Sequence, residues 1–146
     1  MALPKLNTPT YELEIPSTDT KISYRPFLVK EEKILMIAME SKDNTQIINA
    51  VRDIVSTCTF DKLDVGTMPM FDVEYIFLNI RAKSVGEVSK LKVLCPDDKK
   101  TYANIEIDLT KVEVQVDEGH TNKIELTDDM GIILTYPSMK SFQDLG

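Results

Sequence analysis

The residues able to do chemistry are few, and the chain scatters them. One histidine, His120, stands beside Gly119 in a predicted turn. Histidine serves as a general base when a nucleophile and an orienting group lie within hydrogen-bond reach. No serine or cysteine forms a recognisable nucleophile motif around His120, so it reads as a solvated turn residue. The two cysteines, Cys58 and Cys95, permit one disulfide. Cys58 closes an apolar helical stripe, however, and reads as a buried thiol in a reducing compartment. Cys95-Pro-Asp-Asp98 resembles half of a zinc hairpin, with a strand, a knuckle and a returning strand. A structural zinc site takes about four ligands, usually Cys or His. Beyond Cys95 the chain offers Cys58 and His120 as further soft ligands. The plainer reading is a hairpin turn with a cysteine at its strand end.

Carboxylates are plentiful, with Asp97-Asp98 and Asp128-Asp129 as adjacent pairs. Two-metal hydrolysis needs carboxylates brought together from several elements. Neighbouring acids in turns read instead as surface groups. Gly66, Gly86, Gly119, Gly131 and Gly146 each stand alone, so dinucleotide and phosphate-loop fingerprints are missing. The expectation is a chain with no catalytic residue, no cofactor site and no metal site.

The elements that must position these residues follow from patterning. The 146 residues, 42% hydrophobic and 28% charged, suit one globular domain that folds without metal or disulfide. Acidic residues outnumber basic ones 24 to 17, for a net charge of -7, which opposes binding to free nucleic acid. There is no 18-residue apolar run to span a bilayer. The first residues also lack the basic-then-apolar order of a secretory signal.

Residues 1–9, with Pro4 and Pro9, read as an extended arm that a partner would order. Residues 10–137 read as one α+β domain. Tyr11, Leu13 and Ile15 alternate with Glu12 and Glu14, Pro16 to Asp19 supplies a turn, and Ile22 and Tyr24 return, which gives an N-terminal β-hairpin. A three-helix segment covers about 28–86. The first helix starts near Leu28 with Glu31 and Glu32 in its early turn. The second is capped by Asp43 or Asn44, with Gln46 placed for a capping box. Its apolar stripe is Ile47, Ile48, Val51, Ile54, Val55 and Cys58. The third is capped by Thr67, carries Pro69 in its first turn and stops at Gly86. It has too many apolar groups for one face, so it reads as a core helix packed on two sides. Asp72, Asn79 and Lys83 share one of its stripes.

A mostly antiparallel β-sheet then spans about 88–137. Leu91, Val93 and Cys95 alternate with Lys90 and Lys92. Ala103, Ile105, Ile107 and Leu109 alternate with Asn104, Glu106 and Asp108. Val112, Val114 and Val116 alternate with Glu113 and Gln115. Ile124 with Leu126, and Ile132 to Tyr136, form the last two strands. Residues 138–146 read as a polar tail with Met139 and Phe142 exposed. This tail suits either docking on a partner or a shortened form of a longer protein.

Two segments carry a resemblance. The opening Met1-Ala-Leu-Pro-Lys-Leu-Asn-Thr-Pro-Thr-Tyr-Glu-Leu13 and Tyr24-Arg-Pro-Phe-Leu-Val-Lys-Glu-Glu-Lys33 resemble the baseplate hub subunit family of T4-like phage tails. The likeness continues through Thr67 to Ser84, with Pro69, Phe71, Asp72 and Tyr75-Ile76-Phe77-Leu78, and into Ile105 to Val116. Family members usually run longer, with more helix after the sheet. Some pair cysteines in the hairpin loop, where this chain keeps only Cys95.

The resemblance implies a structural component of a contractile-tail baseplate hub, made in the host cytoplasm and located in the virion. Its partners would be other hub or wedge proteins, with a homo-oligomer also open. It implies no catalytic residues. An assembly factor that shapes the hub and then leaves is the alternative, and a metal-assisted hydrolase using the acidic turns is a more distant one. The candidate interaction residues are Leu3, Pro4 and Leu6 in the arm, Tyr24, Arg25 and Phe27 at the strand end, and Met139 and Phe142 in the tail. Tyr24, Arg25 and Phe27 combine aromatic surface with a multidentate donor, types enriched at binding hot spots. Packing of this strand end inside the domain is the competing reading. The exposed strands near Tyr11 and Ile124 are open to edge addition by another chain.

Overall fold

The computed structural model describes residues 7–143, with the backbone alone for Phe142 and Gln143. The architecture is α+β, in the expected order of hairpin, three helices and antiparallel strands. Strands β1 (Tyr11–Ile15) and β2 (Thr20–Tyr24) pair antiparallel, with Tyr11 opposite Tyr24 and Leu13 opposite Ile22. The period-two alternation therefore turns Tyr11, Leu13, Ile15, Ile22 and Tyr24 toward the core.

Helix α1 (Val29–Ser41) begins where Glu31 reaches back to accept the Leu28 N–H at 2.8 Å. It ends at Lys42, whose left-handed φ of 56° breaks the helical ladder. Helix α2 (Asn44–Cys58) is capped by Asp43, which accepts the Thr45 N–H at 2.9 Å. Gln46 does not close the expected capping box. Its side-chain amide donates to the Asp43 carboxylate at 3.2 Å.

Helix α3 (Met70–Val85) starts two residues later than its sequence suggests. Pro69 is the N-cap, with an extended ψ of 142°. Thr67 lies before the helix, and its hydroxyl donates backward to the Asp64 carbonyl at 3.0 Å. Val73, Ile76 and Ile80 are fully buried, which gives α3 the two-sided packing its composition demands. Gly86 ends the helix at a φ of 140°, a conformation side chains resist.

The polar stripe of α3 meets the hairpin at its two ends, Asp72 and Lys83. Asp72 is fully buried and takes the Ser17 N–H at 3.1 Å and the Ser17 hydroxyl, fixing the β1–β2 turn to the helix. At the far end, Lys83 lies 5.3 Å from the Tyr11 ring centroid.

Beyond Gly86 the strands are antiparallel throughout, but they form separate two-stranded ladders. Strand β3 (Val88–Leu94) pairs with β4 (Tyr102–Asp108), and β5 (Lys123–Thr127) pairs with β6 (Met130–Ile133). Asp98 ties the β3–β4 connection, accepting the Thr101 hydroxyl and the Lys100 and Thr101 N–H groups. Those bonds hold its carboxyl down to about 2. A short 3-10 turn, Leu109–Lys111, follows β4, and its buried Leu109 anchors the base of the ribbon against α3.

The strand expected at Val112, Val114 and Val116 does not form. Alternating valines supply a face but not the backbone partners a strand requires. The last ladder likewise closes at Ile133, short of Leu134 and Tyr136.

The segment expected as an exposed tail is tied in at its start. Met139 N–H bonds the Met68 carbonyl at 3.2 Å, Met70 N–H bonds the Pro137 carbonyl at 3.4 Å, and Ser138 bridges Pro69. Helix α4 (Met139–Gln143) begins there, and Met139 is 1% exposed within the core cluster.

Two stability measurements test these contacts. Ser17→Ala removes the hydroxyl but keeps the N–H bond, and should cost about 1–2 kcal/mol in denaturant unfolding; Asp72→Ala strips both acceptors and should cost more. Met139→Ala should cost about 2–4 kcal/mol by leaving a core cavity. A cost near zero would show that the tail only rests on the body.

Candidate interaction surface

The strand end between β2 and α1 is built into the chain. Tyr24 is 2% exposed, and its ring centroid lies 5.7 Å from that of Tyr11. Burial raises its phenol. Arg25 donates its backbone N–H to the Cys58 carbonyl at 2.9 Å, joining the hairpin to α2. Its guanidinium bonds the Pro26 carbonyl and the Glu31 carboxylate, both at 2.9 Å. Phe27 donates its N–H to the Ser84 hydroxyl at 3.0 Å, and its ring packs against the core cluster. These three candidate residues thus make internal contacts.

Glu31 sits at the middle of this network. Burial by itself would raise its carboxyl, but the bonds from Arg25 and Leu28 and the Arg25 charge outweigh it and hold it below the ordinary glutamate value. Cys58 is a buried free thiol pushed up to about 11, chiefly by burial, so it is poorly nucleophilic. Cys95 is free and half-buried.

The tail residues separate. Met139, expected to be exposed, is a core residue, because the 137–140 backbone pairs with the loop before α3 and carries its side chain inward. Phe142 lies in α4, and its side chain falls outside the described residues. Leu3, Pro4 and Leu6 also fall outside them.

The surface that lies open is elsewhere. Residues 34–39 of helix α1 are all apolar and so cover every side of that stretch, yet the helix turns Glu31, Leu35 and Ala38 inward and leaves Val29 80%, Met36 58%, Ile37 56% and Met39 60% exposed. A helix of this kind is normally buried on more than one side. The β3–β4 ribbon is two-faced. Leu91, Val93, Ile105 and Ile107 share one side and remain exposed, while Lys90 and Glu106 pair at 3.0 Å on the other. The β5–β6 ribbon repeats this with Ile124 opposite Ile132. The alternation in the sequence identified these faces. What it does not report is whether another element covers them.

His120 lines a cleft of about 440 Å³ between the β1–β2 turn, the start of α3 and the 114–120 segment. Its Nε2 lies 2.6 Å from the Tyr136 hydroxyl, and the two rings stack. Phe71 meets Tyr136 edge-on at 5.0 Å. Ser17, also in the cleft, gives its hydroxyl proton to Asp72. Among the described residues no group of three or more His, Cys, Asp or Glu side chains is placed to hold a metal ion, so His120, Cys58 and Cys95 are not brought together. No described helix is long and apolar enough to cross a membrane.

A family model described as T4 bacteriophage base plate protein matches residues 8–145. The chain belongs to the T4 bacteriophage base plate protein family. No curated protein and no solved structure matches it. The match takes in the helical body and both open ribbons, so the uncovered apolar faces lie within the region common to base plate proteins of this family.

The Glu31 network has a defined pH signature. Because the folded-state carboxyl is depressed, its stabilisation is complete above the ordinary glutamate value and is lost as pH falls through the folded value. Glu31→Gln should therefore lower stability at neutral pH by about 1.5–3 kcal/mol. The gap to the unmodified chain should close on acidification. Thermal melts across that range check it, and a constant gap would count against the assignment.

Proposed function

We propose that this chain is a structural component of the hub of a contractile phage tail baseplate, acting through protein–protein contacts and carrying no reaction of its own. Two two-stranded ribbons and one face of α1 present aliphatic side chains that nothing among the described residues covers. This observation carries the reading. Isolated two-stranded hairpins are marginally stable in water. Burying one aliphatic side chain fully stabilises by about 1.5–3 kcal/mol. Neighbouring subunits that cover the ribbons therefore gain affinity and complete the fold together. The open edges of β3 to β6 suit strand addition, which uses backbone hydrogen bonds for affinity and alternate side chains for specificity.

In this proposal residues 10–137, with Met139 packed into their core, fold as one unit in the host cytoplasm, and the arm of residues 1–9 is ordered on contact. The partners are other hub or wedge proteins of the same baseplate. Family membership favours scaffold over hydrolase.

Co-expression with the other tail proteins, followed by size exclusion and mass measurement, should give a stable heteromeric complex. Leu91→Lys with Ile105→Glu, an opposite-charge pair directly across β3 and β4, should abolish it while leaving the melting temperature of the free chain nearly unchanged, since both positions are exposed. Deleting residues 1–9 should weaken the complex with similarly little effect on melting. A complex indifferent to the ribbon substitutions would refute the proposed contact. Stoichiometric recovery from purified tails would place the chain in the virion, and its disappearance from them would make it an assembly factor.

A further inference from the structure

The helical body carries one apolar groove that the ribbons do not reach. It opens between the first halves of α2 and α3, with a volume of about 250 Å³. Ile48, Val51, Met70, Phe77 and Leu78 line it, and Glu74, exposed to solvent, is the one charged side chain on its wall. Its floor is closed by buried Val73 and Met139. A ligand for such a groove is a short apolar segment bearing a single cation.

This chain contains one. Met1-Ala-Leu-Pro-Lys-Leu6 joins apolar residues around a single charged side chain, Lys5, opposite in sign to Glu74. Six extended residues span about 20 Å, enough to follow the roughly 12 Å of helix between Met70 and Leu78. Pro4 narrows the conformations such a segment must give up on binding.

Geometry decides which copy supplies it. Strand β1 begins beside Lys83, at the end of α3, and runs toward Asp72 at its start. Tyr11, where β1 starts, therefore stands at the C-terminal end of α3, while the groove lies along its first half. Asp72 and Lys83 also lie on one stripe of the helix, and Met70, Phe77 and Glu74 lie around its other side. A chain's own segment would have to cross to the opposite side and the opposite end of the helix. A second copy's segment has no such constraint. We infer that residues 1–6 of one copy dock in the α2–α3 groove of another, with Lys5 against Glu74, and that the protein self-associates by this exchange. Reciprocal exchange gives a closed dimer, and one-way exchange gives a ring or chain of subunits.

This rests on the proposed scaffold role and deepens it by naming one partner. Sedimentation of the full chain should show concentration-dependent association, and excess synthetic peptide of residues 1–9 should dissociate it. Leu3→Asp should leave a monomer. Glu74→Lys should weaken association roughly fivefold, and adding Lys5→Glu to that variant should restore it. Glu74 is exposed, and an unchanged melting temperature of each variant confirms an intact fold. A chain monomeric at all concentrations overturns the inference, as does self-association indifferent to Leu3→Asp and to the charge exchange. The co-expression complex reads the ribbons and not the groove. Its survival alongside a monomeric free chain would remove this inference and leave the scaffold role standing.

Discussion

Burial of α3 is the constraint from which the rest of the structure follows. Its sequence places apolar groups on more than one side, and Val73, Ile76 and Ile80 are sealed completely. One neighbour cannot cover such a helix. The β1–β2 hairpin closes one side, where the buried Asp72 carboxylate accepts both donors of Ser17. Helix α2 closes another, and Met139 and Leu109 reach it from later in the chain. A buried carboxylate without partners would be costly, so the Ser17 bonds are a condition of this packing as much as a product of it.

Once α3 is satisfied, little of the body remains to cover anything else. Helix α1 contacts the body through Glu31, Leu35 and Ala38, and the Arg25–Glu31 pair fixes its start. The ribbons beyond Gly86 touch the helical body mainly at their base, through Leu109. Their apolar faces are formed by correct strand alternation and then left open. A chain built this way holds a closed half and an unfinished half, which is the physical form expected of a part whose fold is completed by neighbours. Membership of the T4 bacteriophage base plate protein family gives those neighbours a setting.

Much of the secondary structure was legible because it rests on local rules. The hairpin at Tyr11–Tyr24, the stop of α3 at Gly86 and the alternation in β3, β4 and β5 follow from periodicity and from the backbone freedom of glycine. Local rules failed where a side chain had a choice of partner. Thr67 bonds backward to Asp64 ahead of the helix, and Pro69 holds the N-cap position of α3. Val112, Val114 and Val116 alternate like a strand but pair with no strand among the described residues. The interaction surface was less legible than the fold. Tyr24 and Arg25 have the composition of a hot spot, yet the first is buried and the second holds Glu31 and the Cys58 carbonyl.

The sequence by itself determined the α+β order, the family resemblance and which residues share a face, because each depends on spacing along one chain. Tertiary structure alone decided which faces are covered. Asp72 and Met139 are buried because segments far apart in sequence meet there, while Leu91, Ile105 and Met36 are open because no described segment covers them. Burial is a property of pairs of elements, and a pattern read along one element carries no information about the other.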